Sequence, residues 1–159
     1  MIELELVGVR VELPHNQPIV LLKESTGERF LPIWIGAVEA TSIAFALQGV
    51  ETARPMTHDL MKDLLEALTV DVERIVVTEL KDGTFYAEIL MNGPAGEVRV
   101  SSRPSDAIAL AVRGGIPVFA EEAVLEEAGI LIEDSDDADQ EVEKFKEFLD
   151  NVTPEDFAQ

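Results

Sequence analysis

Apolar and polar positions alternate along the first strand-like stretch, with Ile2, Leu4 and Leu6 in one phase and Val7, Val9, Val11 and Leu13 in the other. Period-two alternation predicts a strand, and the one-residue phase change beside Gly8 predicts a bulge within it. Pro14-His15-Asn16-Gln17 turns the chain, and Pro18 to Leu22 returns as a second strand. Glu24-Ser25-Thr26-Gly27 turns it again into a third strand from Arg29 to Ile35, giving an antiparallel meander. The period then becomes helical. Gly36 opens AVEATSIAFALQG, small or apolar on almost every side, which stops at Gly49. A second helix, Thr57 to Leu68, is amphipathic: Leu60, Met61, Leu64, Leu65 and Leu68 share a face, with Asp59, Lys62, Asp63 and Glu66 off it.

The second half repeats the order of strands and then helix. Asp71 to Leu80 and Thr84 to Asn92 flank a hairpin turn at Lys81-Asp82-Gly83, and Gly93-Pro94-Ala95-Gly96 turns into a strand from Glu97 to Ser101. A helix from Pro104, apolar from Ala107 to Val112, is expected to be buried on all sides. Gly114-Gly115, a short strand at Pro117-Val118-Phe119 and a short acidic helix ending at Gly129 follow. The pattern predicts an α+β fold, a mainly antiparallel or mixed sheet with three to four packed helices. It occupies residues 1–130, and residues 131–159 form an acidic linker and a short C-terminal helix carrying Val142, Phe145 and Leu149 at helical spacing.

Charge changes this picture more than composition does. The 159 residues carry a net charge of −20, and residues 121–159 hold 15 Asp and Glu against two Lys. The remaining 17 acids and ten bases leave residues 1–120 at −7. Gripping nucleic acid by electrostatics alone needs clustered Lys and Arg, which this chain lacks. The acidic tail is instead suited to a basic protein partner. There is no cysteine, so disulfides and thiolate chemistry are excluded. No apolar run approaches the ~18 residues of a membrane span. MIELELVGVRVEL lacks the basic start of a signal peptide, so a cytoplasmic protein without a membrane partner is expected.

Two helix starts carry the candidate chemistry. ARPMTHDL and SSRPSDAI both place Arg-Pro ahead of a hydroxyl residue and an Asp. Pro suits the first helical turn, Thr57 or Ser105 is able to cap free N–H groups, and Asp59 or Asp106 faces the positive end of the dipole. Capping leaves Arg54 and Arg103 unexplained, because a cation there is unfavourable unless an anion lies between it and the helix. That anion is either the helix's own Asp, in a structural ion pair, or a bound phosphate. Glu39, a lone carboxylate on an apolar helix, either lies on an exposed stripe or is paired. Glu39, Asp59 and Asp106 together would offer the hard oxygen ligands that Mg²⁺ or Mn²⁺ prefers, and no organic cofactor is expected. His58 is a candidate base or ligand, with a surface role, or one supporting a neighbouring site residue, at least equally open. His15 is expected on an exposed turn, and Trp34 in the core or an interface rather than as a base-stacking platform, because its neighbours are aliphatic.

LPIWIGAVEA, RPMTHDLM and SSRPSDAIALAVR, in that order, resemble the bifunctional nuclease (BFN) domain family, and the resemblance spans roughly Met1 to Ile130. The tail ending FLDNVTPEDF is similar to the C-terminal extension of actinobacterial members. The resemblance implies nuclease activity on DNA and RNA, a mixed-sheet fold and frequent homo-oligomers. The motif positions it picks out are Glu39, Arg54, His58, Asp59, Arg103, Ser105 and Asp106, all present here. Under it, Asp106, Asp59 and Glu39 would hold a metal or activate water, and His58 would carry a proton. Arg54 and Arg103, with Ser105 and Thr57, would bind substrate. Two other classes stay open: a non-catalytic binding or regulatory module working through the acidic tail, and a site for a small phosphorylated metabolite.

Overall fold

A computed structural model describes residues 1–12 and 17–132; the expected turn at His15 and the expected tail helix lie outside them. The elements, in chain order, are β1 (Ile2–Glu12), β2 (Gln17–Glu24), β3 (Arg29–Trp34), α1 (Ala37–Gln48), α2 (Thr57–Ala67), β4 (Asp71–Lys81), β5 (Thr84–Gly93), β6 (Gly96–Ser102), α3 (Pro104–Gly114), β7 (Val118–Ala120), α4 (Glu122–Ala128) and β8 (Ile130–Leu131). This is the expected α+β fold, with a mixed sheet. Its eight strands run in the order β6-β5-β4-β7-β1-β2-β3-β8. The two meanders, β1-β2-β3 and β4-β5-β6, are antiparallel and fuse through β7, which pairs antiparallel with β1 and parallel with β4.

Local chemistry sets these elements. The phase change near Gly8 is a bulge: the β1–β2 register shifts between Leu6 and Gly8. Asp82 and Gly83 both take positive φ at the β4–β5 turn, as a two-residue hairpin twisting with its strands requires. Ile75, Val76 and Val77 are all buried because β4 is an interior strand beside the parallel β7. β8, which the periodicity does not predict, is a two-residue strand pairing Leu131 with Arg29 and Ile130 with Phe30.

The helices divide the core. One cluster joins Val9, Leu22 and Ile33 of the first meander to Ile43 of α1, Ile108 of α3 and Leu125 of α4. A second joins Ile75 and Ile89 to Ala107, Leu110 and Ala111 of α3, with Met61 and Leu65 of α2 against it. α3 belongs to both clusters, and Ala107 through Ala111 are buried without a break. The small Ala side chains let neighbouring elements close on it from several sides. α2 departs from expectation. Only part of its apolar face reaches the core, and Leu60, Leu64 and Leu68 are exposed, because the helix packs on the flank of α3 and, among the described residues, nothing covers its outer side. Trp34 also departs: it is 51% exposed at the end of β3 and is not a core residue. Among the described residues no helix is long and apolar enough to cross a membrane.

Candidate active site

The two Arg-Pro helix starts meet at one histidine. His58, in the first turn of α2, is buried at 5% exposure rather than placed on the surface. Its Nδ1 lies 2.6 Å from the Ser42 hydroxyl of α1, and its Nε2 lies 3.0 Å from Asp106 Oδ1 in the first turn of α3. A carboxylate only accepts, so the nitrogen facing Asp106 carries a proton. In the neutral ring Nδ1 then accepts from the Ser42 hydroxyl. Three helices thus contribute one residue each to a continuous Ser42–His58–Asp106 chain.

Arg103, immediately before α3, closes the other side of Asp106. Its Nε donates to Asp106 Oδ2 at 2.9 Å, and its Nη2 donates to Glu39 Oε1 at 2.6 Å while lying 2.8 Å from the same Asp106 oxygen. The anion that explains this cation is therefore provided by the protein, from two helices. Glu39 is paired and not placed on an exposed stripe. Its carboxylate folds back over Gly36 at the start of α1, where a Cβ on residue 36 would collide with it. Hydrogen bonding to Glu39 first, and then to Asp106, raises the Arg103 pKa above its ordinary value. The Arg103 side chain is 64% exposed and its Nη1 has no partner among the described residues, so it is open to a ligand.

Neither hydroxyl caps its helix. Met56 and Arg103 hold the N-cap positions, with Thr57 and Ser105 one and two residues inside. Asp59 does satisfy a free donor, accepting from the Met56 N–H at 3.0 Å. Its other oxygen turns away from His58 to Arg113, whose Nε donates at 2.7 Å. Burial pushes the Asp59 carboxyl up, but the hydrogen bonds from Arg113 and Met56 outweigh it and the pKa falls below its ordinary value. A carboxyl depressed in the folded state contributes stability above its unfolded pKa and loses it as pH falls through the folded one. Wild type and Asp59→Asn should therefore differ in melting temperature at pH 7 and converge below about pH 4. A gap independent of pH would show that the Asp59 charge contributes nothing.

The expected metal ligands fall into two groups. Glu39 and Asp106 share Arg103 Nη2, while Asp59 is tied to Arg113 and Met56. Among the described residues no three His, Cys, Asp or Glu side chains are grouped to hold a metal ion. A divalent cation at Glu39 and Asp106 would meet a guanidinium already between them, so this donor set does not fit a resident Mg²⁺ or Mn²⁺. Arg54 stands apart, exposed in the loop before α2, with no side-chain hydrogen bond or ion pair among the described residues.

Glu39, Ser42, Thr57, His58, Arg103 and Asp106 all line a cleft of about 570 Å³, together with Val100 to Ser102 of β6. A second cleft of about 350 Å³ also has Arg103 in its lining, with Trp34, Phe85 and Ser105 among others. Two site residues escaped the sequence reading. Ser42 lies one helical turn from Glu39 on the same face, a signal available but hidden by the small-residue character of α1. Arg113 donates to Asp59, to the Ala109 carbonyl and to the Ser42 carbonyl, yet in sequence it reads as a cation suited to a helix C-terminus.

The family model of the bifunctional nuclease domain matches residues 20–133. The chain belongs to the bifunctional nuclease domain family. It is similar, at 50% identity over 98% of this chain and 97% of the relative, to an uncharacterized protein of Mycobacterium tuberculosis. It is also similar to bifunctional nuclease 1 of Arabidopsis thaliana, 30% identical over 66% of this chain and 33% of that protein. Bifunctional nuclease 2 of the same plant is 26% identical over 77% of this chain and 38% of its own length. The chain thus spans little more than a third of the plant relatives it matches. All seven positions that the resemblance picks out lie within the described residues, and four of them, Glu39, His58, Arg103 and Asp106, are linked by hydrogen bonds.

Proposed function

We propose that this BFN domain hydrolyses phosphodiester bonds of nucleic acid in the larger cleft. The observation that carries the reading is Asp106, with one oxygen held by the buried His58 and the other beside Arg103 on the cleft wall. In this reading a phosphate binds Arg103 through Nη1, which has no partner among the described residues. Asp106 takes a proton from a water whose oxygen attacks phosphorus. The bond from phosphorus to the leaving oxygen breaks, and that oxygen takes a proton from solvent at the cleft mouth. His58 orients the Asp106 carboxylate through Nε2–H, and Ser42 fixes the tautomer by donating to Nδ1. Arg103 stabilises the charge that grows on the non-bridging oxygens. The plant relatives named as bifunctional nucleases support this choice of bond.

The test is cleavage of end-labelled single-stranded RNA and DNA with Mg²⁺, with Mn²⁺ and with EDTA, alongside Arg103→Met purified identically. Loss of one preorganised charge-stabilising donor corresponds to roughly a 10²- to 10³-fold drop in turnover. Equal cleavage by both proteins would remove the reaction from this cleft. No cleavage by wild type under any of the three conditions would leave a binding module in its place.

A further inference from the structure

The second cleft shares Arg103 with the first, and its wall carries the side chain that the core does not use. Trp34 ends β3 with half its surface in solvent, and Phe85 of β5 lines the same cleft. A half-exposed aromatic is unremarkable alone, since Tyr86 and several aliphatic residues are also exposed. Trp34 differs in its neighbours: a part-free guanidinium and several polar groups. Ser105 lines the cleft with a hydroxyl that makes no hydrogen bond among the described residues, and Gln17 and Thr84 lie on its rim. An indole face, unspent donors and acceptors and an adjoining phosphate-binding cation are the parts that recognise a nucleobase carried on a phosphate.

We propose that this second cleft is a nucleobase subsite, in which an unpaired base stacks on Trp34 while its phosphate lies on Arg103. The inference rests on the phosphodiesterase reading for the placement of phosphate, but names a separate site and selects single strands. It also resolves a difficulty of charge. Residues 1–120 carry −7, so phosphate neutralisation supplies little binding. Stacking does not depend on net charge and tolerates any base, so it supplies what the electrostatics withhold. A base within a duplex has both faces covered and cannot lie on the indole.

The experiment uses the chain's single tryptophan as its own reporter. Emission of Trp34 in the full chain is followed during titration with a thymidylate octamer, the same strand in a duplex, thymidine 5′-monophosphate and ribose 5-phosphate, in EDTA. Polarisation of a labelled octamer is read in parallel. Saturable quenching by the octamer and the monophosphate, with none by duplex or ribose phosphate, is the expected result. Tighter binding of the octamer assigns the subsite to a strand, and equal binding to a free nucleotide. Trp34→Ala should weaken octamer binding by roughly 5- to 150-fold, the range for loss of one stacked base, and Trp34→Phe by much less. Octamer binding that leaves the emission unchanged, unchanged affinity in Trp34→Ala, or no binding at all would overturn the inference. Cleavage without quenching would sink the subsite alone, and quenching without cleavage would sink the hydrolytic reading alone.

Discussion

Asp106→Asn is expected to lower the cleavage rate of single-stranded RNA and DNA by roughly 10²- to 10⁴-fold, the range for losing a positioned general base. Asparagine keeps the size of the side chain and can still accept from His58 Nε2, but it has no carboxylate with which to take a proton from water. Its amide would also place a donor against Arg103, or against His58 if turned over, so one of the two contacts becomes donor against donor. The cost to folding should stay small. Asp106 lies at the cleft wall, 27% exposed, so its charge at the start of α3, about 0.3–1 kcal/mol, and the one contact turned repulsive, about 1 kcal/mol, together come to about 1–2 kcal/mol. For a chain of this size that is a shift of only a few degrees in melting temperature. A large loss of rate with near-native melting would place the chemistry at this carboxylate. An unchanged rate would show that the cleaving group lies elsewhere.

Much of the scaffold was legible because its signals are local. The change of phase at Gly8, the Asp82-Gly83 turn and the glycines that end α1 and follow α3 each act within a few residues, and each lies where the sequence places it. The site was legible only in part. His58, Asp106, Arg103 and Glu39 stand out as polar residues in apolar helices, but their partners depend on which helix ends meet, and periodicity says nothing about that. The burial of His58 follows from α1 and α3 closing on either side of it. Asp59 and Asp106 look equivalent in sequence, yet one serves Arg113 and the other the cleft. That choice depends on Arg113 reaching across from the last turn of α3. For Trp34 only the core alternative fails: its aliphatic neighbours do pack inward, while its own position at the end of β3 lines the second cleft.

Arg113→Met should have the largest effect on stability, because Arg113 joins all three helices that build the site. Its side chain is 8% exposed and donates to Asp59 of α2 at 2.7 Å, to the Ser42 carbonyl of α1 at 3.1 Å and to the Ala109 carbonyl of its own helix at 2.8 Å. Methionine keeps the aliphatic stem and removes every donor, leaving Asp59 without its charge partner. Asp59 is 37% exposed and can be hydrated, so the loss is counted as three donated hydrogen bonds, about 3 kcal/mol in all. At roughly 2–4 °C per kcal/mol for a chain of this length, melting should fall by about 6–12 °C. Cleavage should fall as well, since Ser42 and Asp59 are the contacts that fix where α1 and α2 place His58. Arg113→Lys should recover only part of either loss, because an ammonium can meet Asp59 but cannot also span both carbonyls as the planar fork does. A double-mutant cycle with Asp59→Asn separates the ion pair from the carbonyl contacts. Coupling of about 1 kcal/mol or more would assign that share to the pair. A melting temperature within about 2 °C of wild type in Arg113→Met would mean that the three helices are held by apolar packing alone.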